Sequence, residues 1–238
     1  MISSEIFYTK FSKEYGQYAE NKKAYLSAVN VFILNESDSP LSLVDVGSGD
    51  GRRGKEIADS LGIQDITFID NSDGMNALSK QIPGVSIVNS DISDDNFRIA
   101  RKYDLVLCLW NVLGHIVTAE KRKIAIKNLA NLIKDDGRLF IDVNNRHNIF
   151  TYGKFAVAKN MVKSLFTLPG KSGNFDLSFK TDSEIIKTKV HIFTPTEIEK
   201  LIRSAGLIIE KRQIINYSTG ELDTHFWNGQ LVYKIKRQ

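Results

Sequence analysis

Through roughly its first 145 positions the chain alternates short apolar runs with stretches of helical period. Leu41–Val46, Ile66–Asp70, Val85–Val88, Tyr103–Leu109 and Arg138–Val143 are each short and apolar enough to be buried strands. Between them, segments 52–62, 73–81 and 118–134 predict helices; in the last, Ile126, Leu129 and Ile133 recur on one helical face. Tyr18, Tyr25, Val29 and Phe32 predict one further helix near 14–35, ahead of the first strand. Strands interleaved with helices predict a parallel sheet covered on both faces.

The pattern changes in the last third. Thr194-Pro195-Thr196-Glu197 is a helix start: a capping hydroxyl, a proline at the first helical position and a glutamate completing a capping box. Gly206 suits the C-terminal cap of that helix. Two strands follow with only a loop between them, Leu207–Ile215 and Phe226–Ile235, and strands joined in that way run antiparallel. The expected architecture is α/β, with seven strands, six parallel and one reversed. Residues 149–192 are left over. Phe175, Leu177 and Phe179 alternate, as do Ile186, Thr188, Val190 and Ile192, with Thr181-Asp182-Ser183 as a turn between them. A helical stretch and a β-hairpin inserted at the C-terminal edge of a parallel sheet form a cap over a site. The whole chain, 1–238, then reads as one domain with 149–192 as its substrate cap.

Composition narrows the function classes. The lone Cys108 excludes a disulfide framework within one chain, and it lies mid-strand, where an inert buried thiol is expected. No apolar run is long enough to span a membrane, and Met1–Lys13 lacks the apolar stretch of a signal peptide, so a cytoplasmic protein is expected. The excess of 32 basic over 28 acidic residues is small, and its clusters, such as Arg52-Arg53 and Lys121-Arg122-Lys123, read as solvated faces. No His, Cys, Asp and Glu spacing indicates a metal site.

Chemistry concentrates at strand ends. Val44-Asp45-Val46-Gly47-Ser48-Gly49-Asp50-Gly51 carries a strand into a glycine turn and then a helix. A dinucleotide fingerprint fails because Arg52 stands where a small residue is needed, and no Gly-Lys-Ser/Thr of a P-loop follows. Asp70 ends the second strand and Asp91 follows the third. Taken singly, Asp70 suits a helix cap and Asp91 a turn.

Together and in this order they resemble motif I and its sequel in the class I S-adenosylmethionine-dependent methyltransferases, whose loop has the form (D/E)-x-G-x-G-x-G. Asp45, Gly47, Gly49 and Gly51 match it, with Ser48 between. The resemblance implies a Rossmann-like fold, S-adenosyl-L-methionine as cofactor and S-adenosyl-L-homocysteine as product. It implies that Asp45 and the loop hold the methionine part, that Asp70 takes the ribose hydroxyls and Asp91 the adenine amino group. Asn71, Met75 and Ile92 then flank the adenosine, and Trp110 lies near the sulfonium.

The acceptor side is read from the same sheet edge. No (D/N/S)-P-P-(Y/F) follows the fourth strand, where the chain reads Leu109-Trp110-Asn111-Val112-Leu113-Gly114-His115. The run Asp142–Asn148 is similar to the segment after strand five in small-molecule N-methyltransferases of the glycine/sarcosine and amino-sugar types. Tyr15, Tyr18, Asn111, Asn145 and Arg146 are therefore the expected substrate contacts, and His115 and His147 the candidate proton acceptors. The expected activity is methyl transfer to N or O of a small-molecule acceptor by in-line displacement, with no membrane partner. The alternatives are an RNA or tRNA methyltransferase, and a cofactor-binding protein without transferase activity.

Overall fold

The computed structural model describes residues 1–165, 173–181 and 184–238. Five strands, β1 (Ser42–Val46), β2 (Asp65–Asp70), β3 (Val85–Asn89), β4 (Tyr103–Cys108) and β5 (Ile133–Val143), pair in parallel in the order β3-β2-β1-β4-β5. The hairpin β6 (Asn174–Lys180) and β7 (Ile185–His191) forms its own two-stranded sheet. The main sheet continues from β5 through β10 (Gln230–Arg237) to β8 (Leu207–Ile215). Because β10 is antiparallel to both neighbours, β8 runs with the first five strands. The expected six codirectional strands and one reversed strand are present. A two-residue strand, β9 (Leu222–Asp223), extends the edge beyond them.

Strand side chains divide between two cores with period two. Val44, Val106, Cys108, Leu139 and Ile141 pack with α5 (Ala119–Leu132) and α8 (Pro195–Ser204). Leu43, Leu105, Leu107 and Phe140 pack on the opposite face with α2 (Lys23–Asn35) and α3 (Arg52–Ser60). Cys108 has no exposed surface, and burial pushes its thiol pKa up. α4 (Asp73–Ser79) is capped by Ser72, whose hydroxyl accepts from Met75 N, so Asp70 is not the cap. Thr194 caps α8 through Glu197 N, and Gly206 follows in the left-handed region at φ 71°.

The N-terminus departs from expectation. A single helix near 14–35 is replaced by two, α1 (Ser4–Glu20) and α2, with the break at Asn21 and Lys22. The cause is that the two apolar stripes serve different surfaces. Tyr25, Val29, Phe32 and Ile33 face the sheet, whereas Phe7 and Phe11 face Ile186 of the hairpin in a third, smaller cluster. One straight cylinder cannot present both. α1 starts early because the Ser3 hydroxyl accepts from Ile6 N and caps it.

The insert divides in two. Its helices, α6 (Ile149–Tyr152) and α7 (Lys154–Leu165), leave Phe150 and Phe155 exposed. Its hairpin folds back on α1. Of the predicted Thr181-Asp182-Ser183 turn, Asp182 and Ser183 lie outside the described residues. The hairpin base is fixed by a buried network. His191 Nδ1 lies 2.7 Å from Asn174 Oδ1 and its Nε2 2.8 Å from Glu197 Oε1, while Arg146 Nη2 donates to Glu197 Oε2 at 3.1 Å. No described helix is long and apolar enough to cross a membrane.

Removing one partner from such a network leaves buried charge uncompensated. Glu197→Ala is expected to lower unfolding free energy by about 3 kcal/mol in urea titration. The same change at the exposed Glu20, paired only with Lys23, is expected to cost less than about 1 kcal/mol.

Candidate functional site

At the C-terminal edge of β1, β2 and β4 lies a cavity of about 550 Å³. Its floor is the glycine loop. Gly47, Gly49 and Gly51 all have positive φ, at 69°, 58° and 76°. At Gly47 a side chain is excluded twice, by that φ and by the Val112 methyls against which a Cβ would fall. The Asp70 carboxylate joins two elements to this floor: Oδ2 accepts from Gly49 N and Oδ1 from Ser72 N, both at 2.9 Å. The Asn71 backbone N–H donates to it as well, and its side chain reaches the cavity with acceptor capacity to spare. Asn71, Met75, Asp91 and Ile92 also line the cavity; Asp91 Oδ1 accepts from Ser93 N and Oγ.

The wall after β4 is a strained turn. Trp110 and Asn111 both adopt left-handed backbone, at φ 58° and 62°, which a bulky residue rarely does. Trp110 N donates to Asp142 Oδ1, Asn111 N to the Asp142 carbonyl, and Asn144 N to Asn111 Oδ1. The Trp110 ring is thereby fixed against Tyr18, stacked at 5.4 Å, and Tyr15, at 5.6 Å. Its Nε1 donates to Tyr217 OH at 3.3 Å.

The roof comes from α1 and the hairpin: Phe7, Tyr8, Phe11, Leu177, Phe179 and Val190 all line the cavity. The Tyr8 hydroxyl and His115 Nε2 share a 2.8 Å hydrogen bond, and His115 Nδ1 is buried without a partner. Burial holds His115 down to a pKa of about 4, so it is neutral at physiological pH. Tyr8 keeps its proton for the same reason.

Several expected contacts lie elsewhere. Asn145 is fully buried, donating from Nδ2 to the Phe226 and Gly229 carbonyls and from N to Gln230 Oε1, and it is not part of the cavity. Arg146 belongs to the Glu197 network, and His147 faces Phe226 at 5.8 Å. The turn after β5 carries these three side chains away from the sheet edge toward α8 and the 226–229 turn, and Asn144 is the described residue of that run that lines the cavity. Asp45, Ser48 and Gly51 also stand behind the loop rather than on the cavity wall. The aromatic contacts of α1 before Tyr15 were missed, although Phe7, Phe11, Tyr15 and Tyr18 recur at helical spacing.

Behind the loop the electrostatics are lopsided. Asp45 is pushed up to a pKa of about 7, chiefly by burial and further by the Asp70, Asp142 and Asp50 carboxylates, with Arg53 opposing. Ser48 Oγ and Arg53 Nη1 and Nη2 are buried without partners, a state that normally marks a polar ligand or water. A cationic ligand fits this surplus of carboxylates. A nucleoside ribose suits the spare acceptor positions of Asp70. Among the described residues, no three His, Cys, Asp or Glu side chains are grouped to hold a metal.

A methyltransferase-domain family model matches residues 44–139, about two fifths of the chain. The chain is similar to a solved S-adenosylmethionine-dependent methyltransferase from Clostridium acetobutylicum, with a TM-score of 0.65 and 16% identity over 97% of this chain and 98% of that one. A methyltransferase from Thermotoga maritima, described as a possible histamine N-methyltransferase, gives 0.64 and 16% over 98% and 99%. The sugar N-methyltransferase KedS8 from Streptoalloteichus gives 0.64 and 15% over 96% and 93%. No curated protein matches in sequence. The matched stretch is a methyltransferase domain, and the whole-chain fold is shared with these methyltransferase structures. The glycopeptide N-methyltransferase MtfA, solved with S-adenosyl-L-methionine and with S-adenosyl-L-homocysteine, shares the fold at a TM-score of 0.60 and 9% identity over 90% of this chain.

Two buried groups give opposite pH signatures. His115 binds protons less well folded than unfolded, so it removes stability as pH falls from 6.5 to about 4. Asp45 binds protons better folded, so its contribution is full below 3.8 and is lost as pH rises to about 7. In urea titrations without cofactor, His115→Gln should lose about 2–3 kcal/mol less than the parent between pH 6.5 and 4. Asp45→Asn should gain a similar amount on the parent between pH 4 and 7.

Proposed function

We propose that the protein moves the methyl group of S-adenosylmethionine to a nitrogen of a small-molecule acceptor. One observation carries this reading: the cavity in front of the glycine loop is roofed by α1 and the β6–β7 hairpin rather than left as an open groove. A roofed cavity of this size accommodates cofactor and a compact acceptor, not a polymer. The Thermotoga protein, a possible histamine N-methyltransferase, and the Streptoalloteichus sugar N-methyltransferase agree with nitrogen.

In this reading Asp70 takes the ribose hydroxyls, Asp91 and Met75 bound the adenine, and the backbone of the glycine loop at Gly47 and Gly49 receives the amino-acid end. Asp45 returns to its charged form when the cation arrives. Tyr15, Tyr18 and Trp110 present ring faces to positive charge. Bound donor supplies an activated methyl carbon. What the protein adds is alignment and exclusion of water. His115 and Tyr8 orient the acceptor. The burial that keeps His115 neutral also makes it too weak a base to strip an alkylammonium.

The test is release of S-adenosylhomocysteine from purified protein with a panel of small amines, alcohols and bulk tRNA. Turnover with an amine and none with tRNA supports the reading; salt-sensitive turnover of tRNA overturns it. Binding of S-adenosylmethionine by calorimetry, with no product on any acceptor, would leave only a cofactor-binding protein. Asp70→Ala is expected to weaken cofactor binding by about 1–3 kcal/mol, read as a 5- to 150-fold rise in Kd.

A further inference from the structure

We infer that the acceptor nitrogen is carried by a flat aromatic ring that is uncharged at neutral pH, an arylamine or an N-heteroaromatic. The inference rests on the reading above and names the substrate class of the same site.

The walls argue first. Leu177 and Phe179 stand on one face of β6, two residues apart, with Val190 beside them on β7. The Phe179 ring lies 4.7 Å from Phe11, 5.0 Å from Tyr18 and 5.8 Å from Phe7. An aromatic guest adds one more ring to this edge and face packing. A sugar would bring several hydroxyls to the same wall, each needing a partner once desolvated. The polar groups there include the Tyr8–His115 pair, Asn144, and Asn111, whose Oδ1 is taken by Asn144 N while its Nδ2 is buried without a partner.

Charge argues second. Three carboxylates line the cavity. Asp70 binds Gly49 N and Ser72 N, Asp91 binds Ser93, and Glu5 is exposed in the first turn of α1. None is a buried counter-ion held ready for an ammonium. No arginine lines the cavity among the described residues, and Lys121 is exposed, so a fork for an amino-acid carboxylate is also lacking.

The proton argues third. The acceptor lone pair forms the N–C bond as the S–C bond of the donor breaks, and the S–C electron pair stays on sulfur. The positive charge passes to nitrogen, which then sheds a proton where it bears one. An alkylammonium must lose a proton before it has a lone pair at all, whereas a ring amine or ring nitrogen arrives with one. His115 is the imidazole that lines this space, and its Nδ1 has no protein partner. Its surroundings do not strengthen it. Tyr8 of α1 is bonded to its other nitrogen, and Arg122 of α5 donates to the Ile116 and Val117 carbonyls. His191 of β7 is tied to Glu197, and Asp142 of β5 accepts from Tyr25. A methylated arylammonium is acidic enough to give its proton to so weak a base; an alkylammonium is not.

The experiment compares anilines and pyridine-type heteroaromatics with alkylamines of equal size, a phenol, an amino sugar and glycine, reading S-adenosylhomocysteine release by the full chain. Ring nitrogens are expected to show kcat/KM about tenfold or more above the others, level between pH 6.5 and 8.5. Phe179→Ala should raise acceptor KM about fivefold or more, Phe179→Tyr should restore it, and both should hold S-adenosylmethionine affinity within about twofold by calorimetry. Preference for the alkylamine, phenol, amino sugar or glycine overturns the inference. So does bound cofactor with no ring acceptor methylated, a rate that climbs about tenfold per pH unit, or an unchanged KM in Phe179→Ala. Failure to bind S-adenosylmethionine is a different result and sinks the methyltransferase reading itself.

Discussion

A carboxylate that never reaches the cavity holds the site in shape. Asp142, 1% exposed at the end of β5, accepts from Tyr25 OH at 2.6 Å and from Trp110 N, while its carbonyl accepts from Asn111 N at 3.1 Å. Two consecutive non-glycine residues in left-handed backbone cost about 1–3 kcal/mol each and persist only where the surroundings over-determine them. Tyr25 belongs to α2, Asp142 to β5, and the strained turn to the end of β4, so one side chain couples a helix, a strand and the site. The return is a fixed Trp110 ring, on which Tyr15 and Tyr18 of α1 settle. Without that platform α1 would lose its aromatic seat on the sheet edge.

The same region concentrates negative charge. Asp45, Asp50, Asp70 and Asp142 stand close enough to raise the pKa of Asp45, and Arg53 only partly offsets them. Unliganded, the protein carries this as an internal cost. In the proposed function a cationic donor removes it on binding, so part of the affinity comes from relief of repulsion rather than from new contacts. Preference for a cation over the neutral spent form follows from the same arrangement, and it acts in the direction a methyltransferase needs, toward product release.

How much of this was legible in the sequence depends on how local the signal was. The five parallel strands, the Thr194 cap, Gly206 and the reversed last strand were readable because each rests on a short run or a turn residue with its own physical preference. The glycine loop with Asp70 and Asp91 was readable because strand ends of an α/β sheet converge at one edge. The segment 144–148 misled. Following a strand places the start of a loop at the edge, but the direction the loop then takes is set by distant partners, here Gln230, Phe226 and Glu197. The roof was half visible. Alternation gave the hairpin, whereas α1 was hidden because its apolar face meets that hairpin and not the sheet. Its stripe of aromatics lies among charged residues and looks like a solvated helix until its partner is known.

That separation of surfaces also divides the labour of the molecule. Phe7, Phe11 and Ile186, with Leu177 and Phe179 against them, form a cluster distinct from the two large cores beneath the sheet. Fewer buried contacts hold this cluster than hold the sheet, so local opening there costs less than unfolding. A roofed cavity requires such opening for an acceptor to enter, and the break between α1 and α2 lets the roof move without disturbing the α2 packing that supports Asp142 through Tyr25. The acceptor wall can therefore change by substitution in α1 and the hairpin while the glycine loop, Asp70 and the Trp110 turn stay as they are. In the proposed function, acceptor choice and donor binding are then set by different parts of the chain, joined where Tyr15 and Tyr18 of α1 meet Trp110.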